Sequence, residues 1–208
     1  LFTQLPVMST FAASLGASAA LAGFIVGLYS LSNTLGNVLA GILTDRSGAY
    51  PVLCVGLAAT SVVLLTYGAV DNAQALMLVR FLHGFLSGLI VPAAFTFLAN
   101  RTQREKQGSR SAVTGAFVGS AAILGPAYSG IMASRTSVPF VFATVAALGF
   151  ALFLIVLFAL RSTGKPAGKT AADRAERKLR LNRGIAQAFA GAFFLMFSQG
   201  ALAYLLPL

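Results

Sequence analysis

Apolar residues run along this chain in stretches of about twenty, each cut off by a short cluster of charged, small or turn-forming residues. A stretch of that length is what one helical crossing of a bilayer's hydrocarbon core requires. The pattern predicts seven such segments. The first covers residues 1 to about 14 and the second about 20–44, closed by Asp45-Arg46-Ser47-Gly48. The third runs from Pro51 to about Val70 and stops at Asp71-Asn72. The fourth spans about 75–98, and the polar stretch Asn100 to Arg110 separates it from the fifth, about 111–133. The sixth, about 139–160, opens at Pro139, a residue favoured in the first turn of a helix. The seventh begins near Gly184. Leu1 and Leu208 both lie in apolar sequence, so the chain is expected to begin and end inside a helix. The organisation expected is an amino-terminal six-helix bundle over 1–160 with a truncated first helix, a basic linker over 161–184, and the start of a seventh helix over 185–208.

Composition converts this pattern into a membrane assignment. Of 208 residues, 57% are hydrophobic and 10% are charged, against roughly 25% charged in an ordinary soluble domain. With a mean hydropathy of +0.83, most of the exterior must meet something other than water, which excludes a soluble globular protein. The fold class expected is an all-α membrane protein. No charged region precedes the first segment, so it does not read as a signal peptide.

Charge then gives orientation. Fifteen Lys+Arg against five Asp+Glu leave a formal +10, which in an apolar chain speaks of topology. The loop between segments two and three holds Arg46. That between four and five holds Arg101, Arg104, Lys106 and Arg110, and that between six and seven holds eight basic residues from Arg161 to Arg183. The opposite loops hold only Arg135, and Arg80 lies inside a segment. The three basic loops are therefore expected on the cytoplasmic side of a plasma membrane. The long basic connection either only fixes topology or lays Ala171 to Leu181 on anionic headgroups as an interfacial helix. Nucleic acid is not an expected partner, because no aromatic residues interleave with these charges. The lone Cys54 allows no intrachain disulfide and no metal quartet, so no metal and no cofactor are expected. No HExxH, GxSxG or Walker loop is present, nor any paired intramembrane carboxylates, so no enzyme activity is expected.

Three clusters carry candidate chemistry. The first runs from Gly41 to Leu53, with Asp45-Arg46 and Gly48 at its centre. Gly41 would allow close helix contact, Asp45 would meet the start of the next helix, and Gly48 would permit a tight turn. The second is Arg80-Phe81-Leu82-His83-Gly84-Phe85-Leu86-Ser87-Gly88, in which positions 80, 83, 84 and 87 share one helical face. Lipid does not tolerate such a face, so Arg80 either meets an internal partner or cavity or snorkels to the surface. His83 has two readings, a titrating group or a satisfied interior hydrogen-bonder. The third joins Gly115-Ala116-Phe117-Val118-Gly119 to Gly125-Pro126-Ala127-Tyr128-Ser129-Gly130, where proline bends a helix and glycines admit a neighbour.

These clusters resemble motifs A, B and C of the major facilitator superfamily, in that order and at the corresponding membrane faces. In the first, Ala49 and Tyr50 stand where the family carries two basic residues; in the second, His83 stands where a glutamine is common. In the third, Ala121 and Ser129 stand where the family has glycine. The resemblance implies a major facilitator type helical bundle, present as its amino-terminal half plus the start of helix 7 and working as a monomer. It implies alternating access, with Arg80 and His83 coupling to protons; Gly41, Asp45, Arg46 and Gly48 forming a conformational latch; and Gly125, Pro126 and Gly130 packing the fifth segment. Motif C belongs to the family's drug:proton exporters, so export of small amphipathic compounds in exchange for protons, across a bacterial inner membrane, is the expected function. Uptake or export of a specific metabolite, such as a sugar or organic anion, is the alternative on the same fold, and a non-transporting receptor or scaffold is a third. Leu5-Pro6-Val7 echoes Leu206-Pro207-Leu208, as two repeats of about six helices would.

Further polar residues mark a candidate substrate cavity. Tyr29, Asn33 and Asn37 are spaced by four along the second segment, Gln4 and Met8 line one side of the first with Phe11, and Gln199 is the polar group of the seventh. Such residues serve equally as interhelical hydrogen-bonders. All five carboxylates, Asp45, Asp71, Glu105, Asp173 and Glu176, fall in loops, so the positive Arg80 also suits an anionic or zwitterionic solute.

Overall fold

A computed structural model of the chain describes residues 2–4, 6–101 and 107–160. The expected linker and seventh segment, including Gln199 and Pro207, lie outside them. Every regular element among the described residues is helical. In chain order they are a 3-10 turn at Phe2–Gln4, α1 (Met8–Ser14), α2 (Ala19–Ser47), α3 (Ala49–Thr66), a 3-10 turn at Tyr67–Ala69, α4 (Ala73–Ser87), α5 (Ile90–Ala99), α6 (Gln107–Arg135) and α7 (Val138–Ala159).

Helix boundaries follow local chemistry. Ser18, Asn72 and Ser137 cap α2, α4 and α7 by accepting hydrogen bonds from the amides of Leu21 at 3.3 Å, Ala75 at 2.8 Å and Phe140 at 3.3 Å. Pro139 sits in the first turn of α7. Gly48 ends α2 at φ +90°, a backbone state that side chains resist, and its amide donates to the Thr44 carbonyl at 3.1 Å. The helix therefore runs through Asp45-Arg46-Ser47, which the sequence pattern reads as an interruption, and the turn narrows to a single glycine. The first segment departs from a simple helix for a matching reason. Pro6 lies between the 3-10 turn and α1, and its missing N–H prevents one continuous helix.

The fourth segment comes as two pieces. Pro92 lacks the amide that would bond the Gly88 carbonyl four residues back, and the hydrogen-bond ladder breaks at Gly88-Leu89. Both residues keep right-handed helical torsions, at φ −60° and −71°, and the Leu89 amide shifts to the Leu86 carbonyl at 3.1 Å. The chain thus passes through Ala73–Ala99 as one crossing with a local tightening.

Five stretches are long and apolar enough to cross a membrane: Ala19–Ser47, Ala49–Ala69, Ala73–Ala99, Ala112–Arg135 and Val138–Ala159. Their outward side chains are apolar, with Phe117, Ile123 and Phe158 more than 70% exposed. In water that surface would be untenable; against lipid it is the ordinary exterior. Inside, α2 packs chiefly on α4, and α3 on α7 and α5. Two apolar clusters fill the interior, one around Ile25, Leu76 and Phe142 and one around Ala40, Leu53 and Ala93.

Candidate functional site

The α2–α4 seam positions the site, and small residues make the seam. A Cβ at Gly88 would stand 2.5 Å from the Asn33 carbonyl oxygen and 2.9 Å from the Gly36 Cα, and one at Gly84 would collide with Ser32 Oγ and the Tyr29 backbone. Ser32 and Gly36 on α2 thus face Gly84 on α4 and Gly88 just past its end, two small residues four apart on each side. This close approach brings the predicted face of α4 onto α2: Arg80, His83 and Gly84 are buried and Ser87 is half-buried.

Arg80 is 2% exposed, so it does not snorkel. Its Nε donates to the Ile25 carbonyl and its Nη2 to the Val26 carbonyl, both at 3.3 Å, while Nη1 donates to Gln4 Oε1. The guanidinium carbon lies 4.7 Å from the centre of the Tyr29 ring. Two backbone carbonyls, a side-chain amide and an aromatic face surround the charge, and each of these partners is neutral. A guanidinium suits this arrangement because its planar fork reaches several acceptors at once.

One turn further along α4, His83 is 4% exposed and shares a 3.0 Å hydrogen bond between Nδ1 and the Tyr67 hydroxyl. Tyr67 stacks on Phe142 at 4.0 Å between ring centres, and Tyr29 meets the His83 ring edge-on at 5.0 Å. Next comes Ser87, whose Oγ shares a 2.8 Å hydrogen bond with the Tyr29 hydroxyl and accepts one of 3.1 Å from Asn33 Nδ2. Asn33 also donates to the Gly84 carbonyl at 3.1 Å, and Asn37 Nδ2 donates to Asn33 Oδ1 at 3.3 Å.

The candidate cavity residues therefore divide. Gln4 and Tyr29, together with His83, line a cavity of about 170 Å³. Met8, 1% exposed, is part of the apolar core. Asn33 sits half-buried in the α2–α4 seam, and Asn37 is exposed beside it. Sequence reasoning passed over Tyr67, Phe142, Ser32 and Gly36. The last two carried a signal, the small-x-x-x-small spacing matched in Gly84 and Gly88; the aromatic pair carried none, since only the fold brings α7 to α4.

The other two clusters are placed as follows. Asp45 and Arg46 are exposed in the last turn of α2, with Gly48 forming the turn to α3. In α6, Pro126 lies within the helix and a Cβ on Gly125 would stand 3.0 Å from Phe2 Cβ and 3.2 Å from the Thr3 amide. Ser129 is buried and donates to the Pro126 carbonyl at 3.1 Å. Among the described residues, a Cβ at Gly41, Gly115, Gly119 or Gly130 would meet nothing within 4 Å, so the close approach expected of these glycines is made at Gly125 alone.

Against known proteins, the family model described as Major Facilitator Superfamily matches residues 1–208. The chain belongs to the major facilitator superfamily. It is 27% identical over 162 residues to the quinolone resistance protein NorA of Staphylococcus aureus, covering 77% of this chain and 41% of that protein. It is 31% identical over 147 residues to the multidrug resistance protein MdtG of Klebsiella pneumoniae, covering 71% of this chain and 35% of that one. The matches thus span less than half the length of either relative. Membership of this superfamily accounts for the multi-pass apolar architecture.

Proposed function

We propose that these residues form the amino-terminal half of a proton-coupled secondary transporter, which exports small amphipathic compounds across a bacterial plasma membrane by alternating access. The observation that carries the reading is a permanent charge, Arg80, held at 2% exposure inside a membrane-crossing segment by neutral partners. Such a charge is costly in a membrane and is retained for function. A neutral cage leaves it responsive to proton occupancy nearby, where a carboxylate partner would silence it. The relatives named for quinolone and multidrug resistance support export as the direction.

In this reading Arg80, with His83 beside it, couples to protons. Gly41, Asp45, Arg46 and Gly48 latch the cytoplasmic side, and Gly125, Pro126 and Gly130 pack the α6 segment. The loops holding Arg46, Arg101 and the basic 161–184 connection face the cytoplasm, and the complete transporter acts as a monomer.

The test is transport by the complete protein in liposomes, with ethidium as a cationic amphipathic probe and fluorescein as an anionic one, each with and without a pH gradient. Gradient-driven ethidium movement is the expected result. Gradient-driven movement of fluorescein alone would favour a carrier of organic anions, which a lone buried cation also suits. Flux of neither probe with an imposed gradient would leave a non-transporting scaffold.

A further inference from the structure

The cavity that Gln4, Tyr29 and His83 line is walled as well by residues of α3, α5 and α7, among them Thr60, Ile90 and Phe142. Its volume of about 170 Å³ is below the roughly 300–1,000 Å³ of a site for a drug-sized compound. Its walls bring together Gln4, Tyr29, Thr60, Ser61, His83 and Ser87, polar side chains from four elements of the chain. Cavities of this size stay dry when apolar and hold water when several polar groups converge on them.

Thr60 supplies an independent observation. A helical threonine or serine ordinarily turns its hydroxyl to a carbonyl three or four residues back, as Ser61 does to Leu57 at 2.8 Å. The Thr60 Oγ1 has no such partner although the residue is 8% exposed, and it lies in the cavity wall. A buried hydroxyl without a protein partner calls for a bound molecule that both donates and accepts.

We propose that this cavity is a hydration site, holding about five to six waters at roughly 30 Å³ each. The cluster satisfies Thr60 and joins His83 to Gln4, the amide that Arg80 grips. The site stands on the cavity and on Thr60. Only its purpose, a water path for protons between His83 and the Arg80–Gln4 pair, rests on the coupling proposed above.

Millisecond X-ray hydroxyl-radical footprinting of the complete protein in lipid nanodiscs tests it, because radicals form at bound waters whether or not bulk solvent has access. Tyr29 and His83, both 4% exposed, should oxidise several-fold faster than Met8, scaled for intrinsic reactivity. Met8 is equally buried and lies outside the chamber wall. Thr60→Val should lower labelling of Tyr29 and His83 several-fold, and Thr60→Ser should restore it. Labelling of both at the Met8 level, or labelling unchanged in a folded Thr60→Val protein, would overturn the site. If Thr60→Val does not fold, the wild-type comparison decides alone. Transport does not enter this readout, so a failure of the proton-coupling reading leaves it interpretable.

Discussion

Replacing Arg80 with lysine keeps the charge and removes the fork of donors that reaches Gln4, Ile25 and Val26 together. An ammonium on a flexible stem is a point charge that satisfies fewer of these acceptors in one position. Arg80→Lys in the complete protein should therefore lower gradient-driven ethidium transport at least tenfold while protein abundance in the membrane changes little; full activity would show that charge alone suffices. Tyr67→Phe is a milder change. It keeps the stack on Phe142 and deletes the hydroxyl bonded to His83, an interhelical hydrogen bond of a kind worth about 0.6 kcal/mol in membranes. A small fall in thermal stability is expected, and a loss of folding would mean that the Tyr67–His83 pair holds the bundle together. Of this site, the polar face of α4 was legible in the sequence because 80, 83, 84 and 87 recur at helical spacing. Its neutral cage was not. Carbonyl acceptors from α2 leave no mark in residue identity, and Tyr67 approaches His83 across a turn whose path depends on tertiary packing.

Small residues govern the elements. Gly84→Ala places a methyl group against Ser32 and the Tyr29 backbone, and because backbone cannot yield as a flexible side chain can, the α2–α4 seam must open. Overpacking of this kind costs about 1–3 kcal/mol, so a marked drop in melting temperature is expected. Gly23→Ala, where a Cβ meets nothing within 4 Å, should be neutral or stabilising by helix propensity; equal losses at both positions would refute the seam. Pro92 offers a separate test. Pro92→Ala restores the amide facing the Gly88 carbonyl, so backbone hydrogen exchange around residues 88–92 should slow several-fold, and unchanged exchange would separate the break from the proline. The helices themselves were legible from apolar run length, with ends displaced by only a few residues. The break at Gly88-Leu89 has a sequence cause in Pro92, but proline alone does not distinguish it from Pro126, across which α6 continues as one helix.

At the scale of the whole molecule, the described residues hold five stretches long and apolar enough to cross a membrane, and the orientation proposed above puts the basic loops on the cytoplasmic side. Single cysteines read that arrangement directly once the buried Cys54 is replaced by alanine. Thr136→Cys should react with a membrane-impermeant maleimide in intact cells, and Arg46→Cys only after the membrane is opened; the reverse pattern would invert the topology. The mechanism proposed above exchanges outward solute movement for inward protons through Arg80. Recording ethidium efflux and internal pH together, in liposomes holding the complete protein, is its decisive test. Acidification should accompany efflux in the wild type, and Arg80→Ala should abolish both. Efflux without acidification, or coupled exchange that survives in Arg80→Ala, would contradict it.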